Sequence, residues 1–188
     1  MRIEIPSEIY KKCEECSANR WSNKKKGVYG RGLINNINDP YRAERIGLLG
    51  EAALAQYINR KVNYKYVEGG NPFDFQLNNL KIDIKTAAKS YGCGLIRAQN
   101  QYKKQIKLTS DIYIFSYIEE ENREDKKAAV ILKGWMEREN VEKCQVVPAR
   151  IGKHYNYQID YEKLKPIEEL PRIKTEKQPR VFNSAISA

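Results

Sequence analysis

The sequence predicts an α/β fold in which a central mixed β-sheet is flanked by helices, with elements in the order helix, strand, strand, strand, helix, strand. Three observations carry this. Apolar residues recur at helical spacing over residues 40–60, and residues 72–86 alternate with the period of two of a hairpin. Two apolar strand patterns, 112–118 and 128–132, then follow a basic stretch of helical composition.

Taken in order, Pro6-Ser7 opens a helix over residues 6–18. Cys13 and Cys16 fall on it with the spacing of half a zinc site, but no second Cys-x-x-Cys or His pair follows, and reduced thiols are the expected state. Residues 19–38 hold Lys24, Lys25 and Lys26 with Gly27, Gly30 and Gly32, and are expected to form a basic loop. Trp21 and Tyr29 among those lysines suit stacking and phosphate contact; a solvated connector fits the same composition. Residues 1–39 thus read as a basic extension of one domain spanning residues 1–170.

Helix 40–60 sets Glu51 beside Leu48, Leu54, Ala55 and Ile58, its i±3, i±4 and i+7 neighbours. A carboxylate on that face either reaches solvent at the stripe's edge or needs a buried partner. A strand at 63–68 and a Gly69-Gly70 turn lead to the hairpin. There Phe73, Phe75 and Leu77 alternate with polar residues before Asn78-Asn79, and Leu80, Ile82 and Ile84 alternate after it. Asparagine tolerates positive φ, so Asn78-Asn79 suits a two-residue turn. That turn pairs Leu77 with Leu80, Gln76 with Lys81 and Phe75 with Ile82, and sets Asp74 opposite Asp83 with Lys85 on the same face.

Opposed side chains lie roughly 5 Å apart at Cβ, and like charges there destabilise a sheet unless a positive charge offsets them. A bound divalent cation meets that need, since Mg²⁺ takes oxygen ligands from one or two carboxylates and substrate phosphate. Lys81 and Lys85 neutralising an exposed sheet face is the other reading of the same residues.

Beyond the hairpin, residues 97–107 read as a basic crossover helix presenting Arg97, Gln101, Lys103 and Lys104 to phosphate. Strand, helix and strand in succession suggest a parallel connection. Residues 119–127 are a charged turn between the strands 112–118 and 128–132. Gly134-Trp135 is expected to open a short helix, and residues 155–159 a late strand. From Leu164 the chain becomes rich in Pro, Lys and Glu and is expected to fray, with 171–188 a tail.

The series Glu51, Pro72-Phe73-Asp74, Asp83-Ile84-Lys85 resembles the PD-(D/E)XK, or restriction-endonuclease-like, nuclease superfamily over about residues 44–133. Phe73, inserted between Pro72 and Asp74, is a small departure from its pattern. The resemblance implies a restriction-endonuclease-like core and a metal-dependent deoxyribonuclease, an endonuclease by expectation. Asp74, Asp83, the Ile84 backbone carbonyl and Glu51 would hold Mg²⁺ or Mn²⁺, and Lys85 would help activate the attacking water. Archaeal Holliday-junction resolvases and small viral or mobile-element nucleases are the similar members, which brings a homodimer into view as one assembly. A non-catalytic nucleic-acid-binding module retaining the nuclease fold is the alternative.

Composition agrees with a globular nucleic-acid partner protein: 188 residues, 41% hydrophobic, net charge +10 and pI near 9.3. Charge alone does not separate DNA, RNA and a membrane surface, but beside a candidate phosphodiesterase site it favours nucleic acid, and the resemblance makes DNA the expected partner. No window approaches 18 apolar residues and no apolar signal-peptide region opens the chain, so the expected location is cytoplasmic, away from membranes. The absence of a Gly-rich phosphate loop argues against an ATP-driven machine.

Overall fold

Alternating and helical patterns assemble into two sheets and three helices in the computed structural model, which describes residues 1–26, 39, 41–64, 73–149 and 153–170, with backbone alone for Trp21 and 23–26. In chain order the elements are β1 (Arg2–Ile5), α1 (Ser7–Lys26), α2 (Arg42–Tyr57), β2 (Phe75–Leu77), β3 (Leu80–Ala87), β4 (Cys93–Gln99), β5 (Ile112–Asn122), β6 (Lys127–Glu137), α3 (Arg138–Val141), β7 (Val146–Pro148) and β8 (Tyr155–Asp160). The larger sheet has the order β1-β6-β5-β3-β2 and is mixed: β3 and β5 run parallel, the other neighbours antiparallel. A second sheet has the order β4-β8-β7. No helix among the described residues is long and apolar enough to cross a membrane.

The period of two in β3 and β5 sorts their side chains between two cores. Ile82, Ile84, Ile112 and Ile114 point toward α2, where Leu48, Leu49 and Leu54 are fully buried. Tyr113 and Phe115 point the other way and pack with Ile96, Ala98, Tyr157 and Ile159 of the second sheet. Each such aliphatic side chain contributes about 1.5–3 kcal/mol by leaving water. Gly94 seats β4 directly on this layer, since a Cβ there would meet the Phe115 ring at 2.2 Å.

The hairpin has the expected register, Leu77 with Leu80, Gln76 with Lys81 and Phe75 with Ile82. Asn78 and Asn79 have φ of 46° and 67°, the doubly positive pattern of a type I′ turn, whose twist matches that of the flanking strands. Helix 40–60 is α2, and the strand patterns 112–118, 128–132 and 155–159 are the cores of β5, β6 and β8.

Elsewhere the structure corrects the expectations. The helix expected over 6–18 continues to Lys26, because no helix breaker precedes Gly27 and cations at a helix C-terminus are favoured by its dipole. Residues 19–26 are therefore helical rather than looped, and 27–38 lie outside the described residues. Residues 63 and 64 are irregular, while 65–68, Gly69-Gly70 and Pro72 lie outside the described residues. The crossover helix at 97–107 is absent. Gly94, Ile96 and Ala98 alternate with exposed Leu95 and Arg97, so the segment pairs with β8 as β4 and then turns. Pairing and core burial override the helical propensity of its charged and Gln-rich end. The parallel β3–β5 connection survives, made by a strand instead.

No helix opens at Gly134-Trp135 either. Strand β6 runs through to Glu137, and Trp135 exchanges backbone hydrogen bonds with Lys165 at 3.0 and 2.9 Å while its indole N–H donates to the Pro166 carbonyl. Those contacts, with buried Ile167 and Leu170, fix residues 164–170 against the core instead of letting them fray. Residues 171–188 lie outside the described residues. Strand β1, not anticipated, pairs with β6 at the sheet edge.

Candidate active site

Strand β2 is three residues long, so β3 outruns it, and the residues beyond Phe75 and Ile82 are set across an open sheet edge. Asp74 stays aligned because its N–H donates to the Ile82 carbonyl at 2.9 Å. Its Oδ2 then accepts from the Ile84 N–H at 2.8 Å, which turns the carboxylate inward along β3, across from Asp83. The N–H and C=O of one strand residue point to the same edge, so the Ile84 carbonyl faces the same space. Lys85 Nζ lies 2.5 Å from Asp83 Oδ2. Tyr113 is the β5 partner of Asp83 and completes the row on that face.

Glu51 comes from α2, and what delivers it is the glycine before it. A Cβ on Gly50 would stand 1.7 Å from Thr86 Oγ1, so only glycine lets the helix lie directly on β3 one residue past Lys85. Thr86 accepts a hydrogen bond from Ser116 at 2.9 Å, which fixes the surface the helix meets. The glutamate is enclosed, with 14% of its side chain exposed, and its partner is Arg20 of α1, whose Nη1 lies 3.6 Å away. The same guanidinium donates through Nη2 to the Asn63 carbonyl at 3.3 Å.

The electrostatics are those of acids crowded in a partly dry place. Burial first, then the neighbouring Asp83 and Glu51 charges, push the Asp74 carboxyl up to about 8. Burial likewise raises Glu51, with Arg20 opposing and Asp83 adding. Burial works against the charge of Lys85, but the Asp83 carboxylate in contact with it outweighs this, and the ammonium is held above its ordinary range. Among the described residues no cation pairs with Asp74.

The structure thus brings Asp74, Asp83, Ile84 and Lys85 together and sets Glu51 beside them. Arg97 lies exposed on β4, and Gln101, Lys103 and Lys104 lie exposed on the turn after it. Asn100 Oδ1 shapes that turn by accepting the N–H groups of Tyr102 and Lys104, and Lys103 Nζ stands 6.0 Å from the Tyr155 ring centre. Lys24, Lys25 and Lys26 end α1, and their side chains lie outside the described residues. Cys13 and Cys16 lie on α1; Cys13 is fully buried, donates to the Leu48 carbonyl at 3.6 Å, and burial pushes its thiol up to about 12.

Sequence reasoning missed Arg20, Tyr113, and the pair Lys89 and Tyr91 in the turn after β3, where Lys89 Nζ stands 5.5 Å from an exposed ring. Gly50 inside a helical pattern was a readable signal of close packing. Nothing local marks Arg20, whose partner is 31 positions away.

The donor set suits a hard divalent cation: two carboxylates, one of them with no cation among the described residues, and a main-chain carbonyl. Among the described residues no three His, Cys, Asp or Glu converge as a ready cage, because Glu51 is turned to Arg20. A separate cleft of about 670 Å³, lined by Tyr91, Cys93, Trp135, Lys143 and Cys144, includes none of the hairpin acids. No protein-family model, curated protein or solved structure matches this chain, so its chemistry is read from its own geometry.

Proposed function

We propose that the chain is a metal-dependent nuclease of the PD-(D/E)XK, restriction-endonuclease-like kind that hydrolyses phosphodiester bonds of DNA as an endonuclease. The supporting observation is the open hairpin end, where Asp74, without a cation partner among the described residues, is set across from an Asp83–Lys85 pair. An Mg²⁺ or Mn²⁺ ion bound by Asp74, Asp83 and the Ile84 carbonyl would supply neutralising charge to the scissile phosphate and the leaving 3′ oxygen.

Lys85 keeps its proton beside Asp83, so its part is that of a cation: it orients the attacking water and stabilises developing phosphoryl charge. The site lies at a strand edge and not in the separate cleft, a placement that suits a polymer running across the surface. The net charge of +10 supplies the general attraction for a polyanion.

One observation favours a second reading, a nucleic-acid-binding module without turnover: Lys85 and Arg20 already neutralise two of the three acids without any metal. Cleavage of supercoiled plasmid, linear duplex, single strand, flap and four-way junction in Mg²⁺, Mn²⁺ or EDTA separates the two. Metal-dependent cutting by the wild type that is lost in Lys85→Ala is the expected result. Binding with no cutting of any substrate under any metal assigns the module instead.

A further inference from the structure

The three acids do not share one electrostatic fate. Among the described residues Asp83 is held by Lys85 and Asp74 accepts from the Ile84 amide with no cation paired to it, while Glu51 faces a guanidinium at 3.6 Å. That guanidinium is itself enclosed, with 17% of its side chain exposed, and is anchored at its other nitrogen by the Asn63 carbonyl. Gly50 on Thr86 fixes the helix that carries Glu51, and the Cys13 to Leu48 contact fixes α1 on α2. Arg20 is therefore held in place by packing on two sides, unlike a surface arginine that finds a partner by chance.

Resting on the nuclease reading above, we propose that Arg20 is a positioning residue that stands in the place of a second metal ion, so that the site takes a single divalent cation between Asp74 and Asp83. Charge balance supports this. Three carboxylates against Arg20 and Lys85 leave one negative charge, and one divalent ion with one phosphodiester brings the assembly to neutrality. A second divalent ion would leave two positive charges uncompensated in a partly buried space, at considerable desolvation cost. The ion is thereby directed to Asp74, which lacks a cation among the described residues, and Glu51 serves to hold Arg20 in place.

Calorimetric titration of the full chain with Mn²⁺ tests this without reference to activity. The expected stoichiometry is one ion for wild type, one for Arg20→Lys and one for Glu51→Gln, rising to two for Arg20→Gln and returning to one for the Arg20→Gln, Glu51→Gln pair. Two ions in the wild type, or one in Arg20→Gln, overturns the assignment of Arg20 and leaves the nuclease reading standing. Should Arg20→Gln not fold, Glu51→Gln decides alone: loss of the ion, or an affinity at least tenfold weaker, makes Glu51 a ligand and refutes the proposal. A wild type that binds no ion, or an Asp83→Asn variant that binds it unchanged, overturns the metal site and the role of Arg20 with it.

Discussion

Replacing Asp74 with asparagine should stabilise the metal-free protein, and only above about pH 4. The carboxyl is moved from 3.8 to about 8 by burial and by Asp83 and Glu51. An acid with a folded pKa above its unfolded one binds a proton on folding at any pH between the two. Stability in EDTA therefore falls as pH rises from about 4 to about 8 and levels off beyond. At 1.36 kcal/mol per pH unit the ceiling is roughly 6 kcal/mol. Asp74 retains some solvent access, and Lys85 and Arg20 stand close, so the expected loss is on the order of 2–3 kcal/mol. Urea denaturation in EDTA at pH 5 and pH 8.5 measures it. The advantage of Asp74→Asn over the wild type should widen from about 1–1.5 kcal/mol at pH 5 to about 2–3 kcal/mol at pH 8.5, with Mn²⁺ restoring the wild type alone. An asparagine variant equally or less stable at pH 8.5 would refute the argument that Asp74 is a strained, cation-seeking acid.

Asp83→Ala should abolish cleavage while leaving DNA binding, measured by fluorescence anisotropy, within about threefold, and Lys85→Ala should lower kcat about 10²–10⁴-fold with little change in KM. Gly50→Ala forces α2 away from Thr86 and should cost about 1–3 kcal/mol or more in urea denaturation. Arg45, 1% exposed, pairs with Asp39 at 2.6 Å and Glu121 at 2.7 Å; Arg45→Met leaves Asp39 to Arg123 at 3.3 Å and Glu121 to the Tyr10 hydroxyl, and should cost about 3 kcal/mol, the low end for a broken buried pair, by the same assay. The Arg97→Ala, Lys103→Ala, Lys104→Ala triple variant should flatten the slope of log affinity against log salt by about 2–3 if all three meet phosphate.

What was legible in the sequence was set by local chemistry. The hairpin followed from alternation and from two asparagines able to hold positive φ, and its register then fixed which carboxylates face each other. The face of Glu51 followed from helical spacing. Strand β4 was hidden because its apolar residues are small or sparse, Gly94, Ile96 and Ala98, and its chain end is rich in residues that favour helix; only pairing with β8, some 60 positions later, makes it a strand. The same limit hid the partner of Glu51. A glutamate on the apolar side of a helix was readable, but whether solvent, a metal or a guanidinium meets it depends on how α1 packs on α2, a tertiary fact with no local signature.

On the proposed nuclease reading, the strand that took the place of a crossover helix changes what a substrate would meet. Asp83 and Lys85 share the sheet face of Tyr113 and Phe115, the face covered by the second sheet, whereas α2 covers the other. On that reading, a polymer at the open end of the hairpin would lie on the side of the second sheet and its turns. There the β3–β4 turn offers Lys89 with Tyr91, 61% exposed, β4 offers Arg97, and the turn after β4 offers Tyr102, 73% exposed, beside Lys103 and Lys104. A helix would have aimed its cations around a cylinder. A strand sends alternate residues to one side, so Leu95 and Arg97 share one exposed face while Ile96 and Ala98 anchor it to the core.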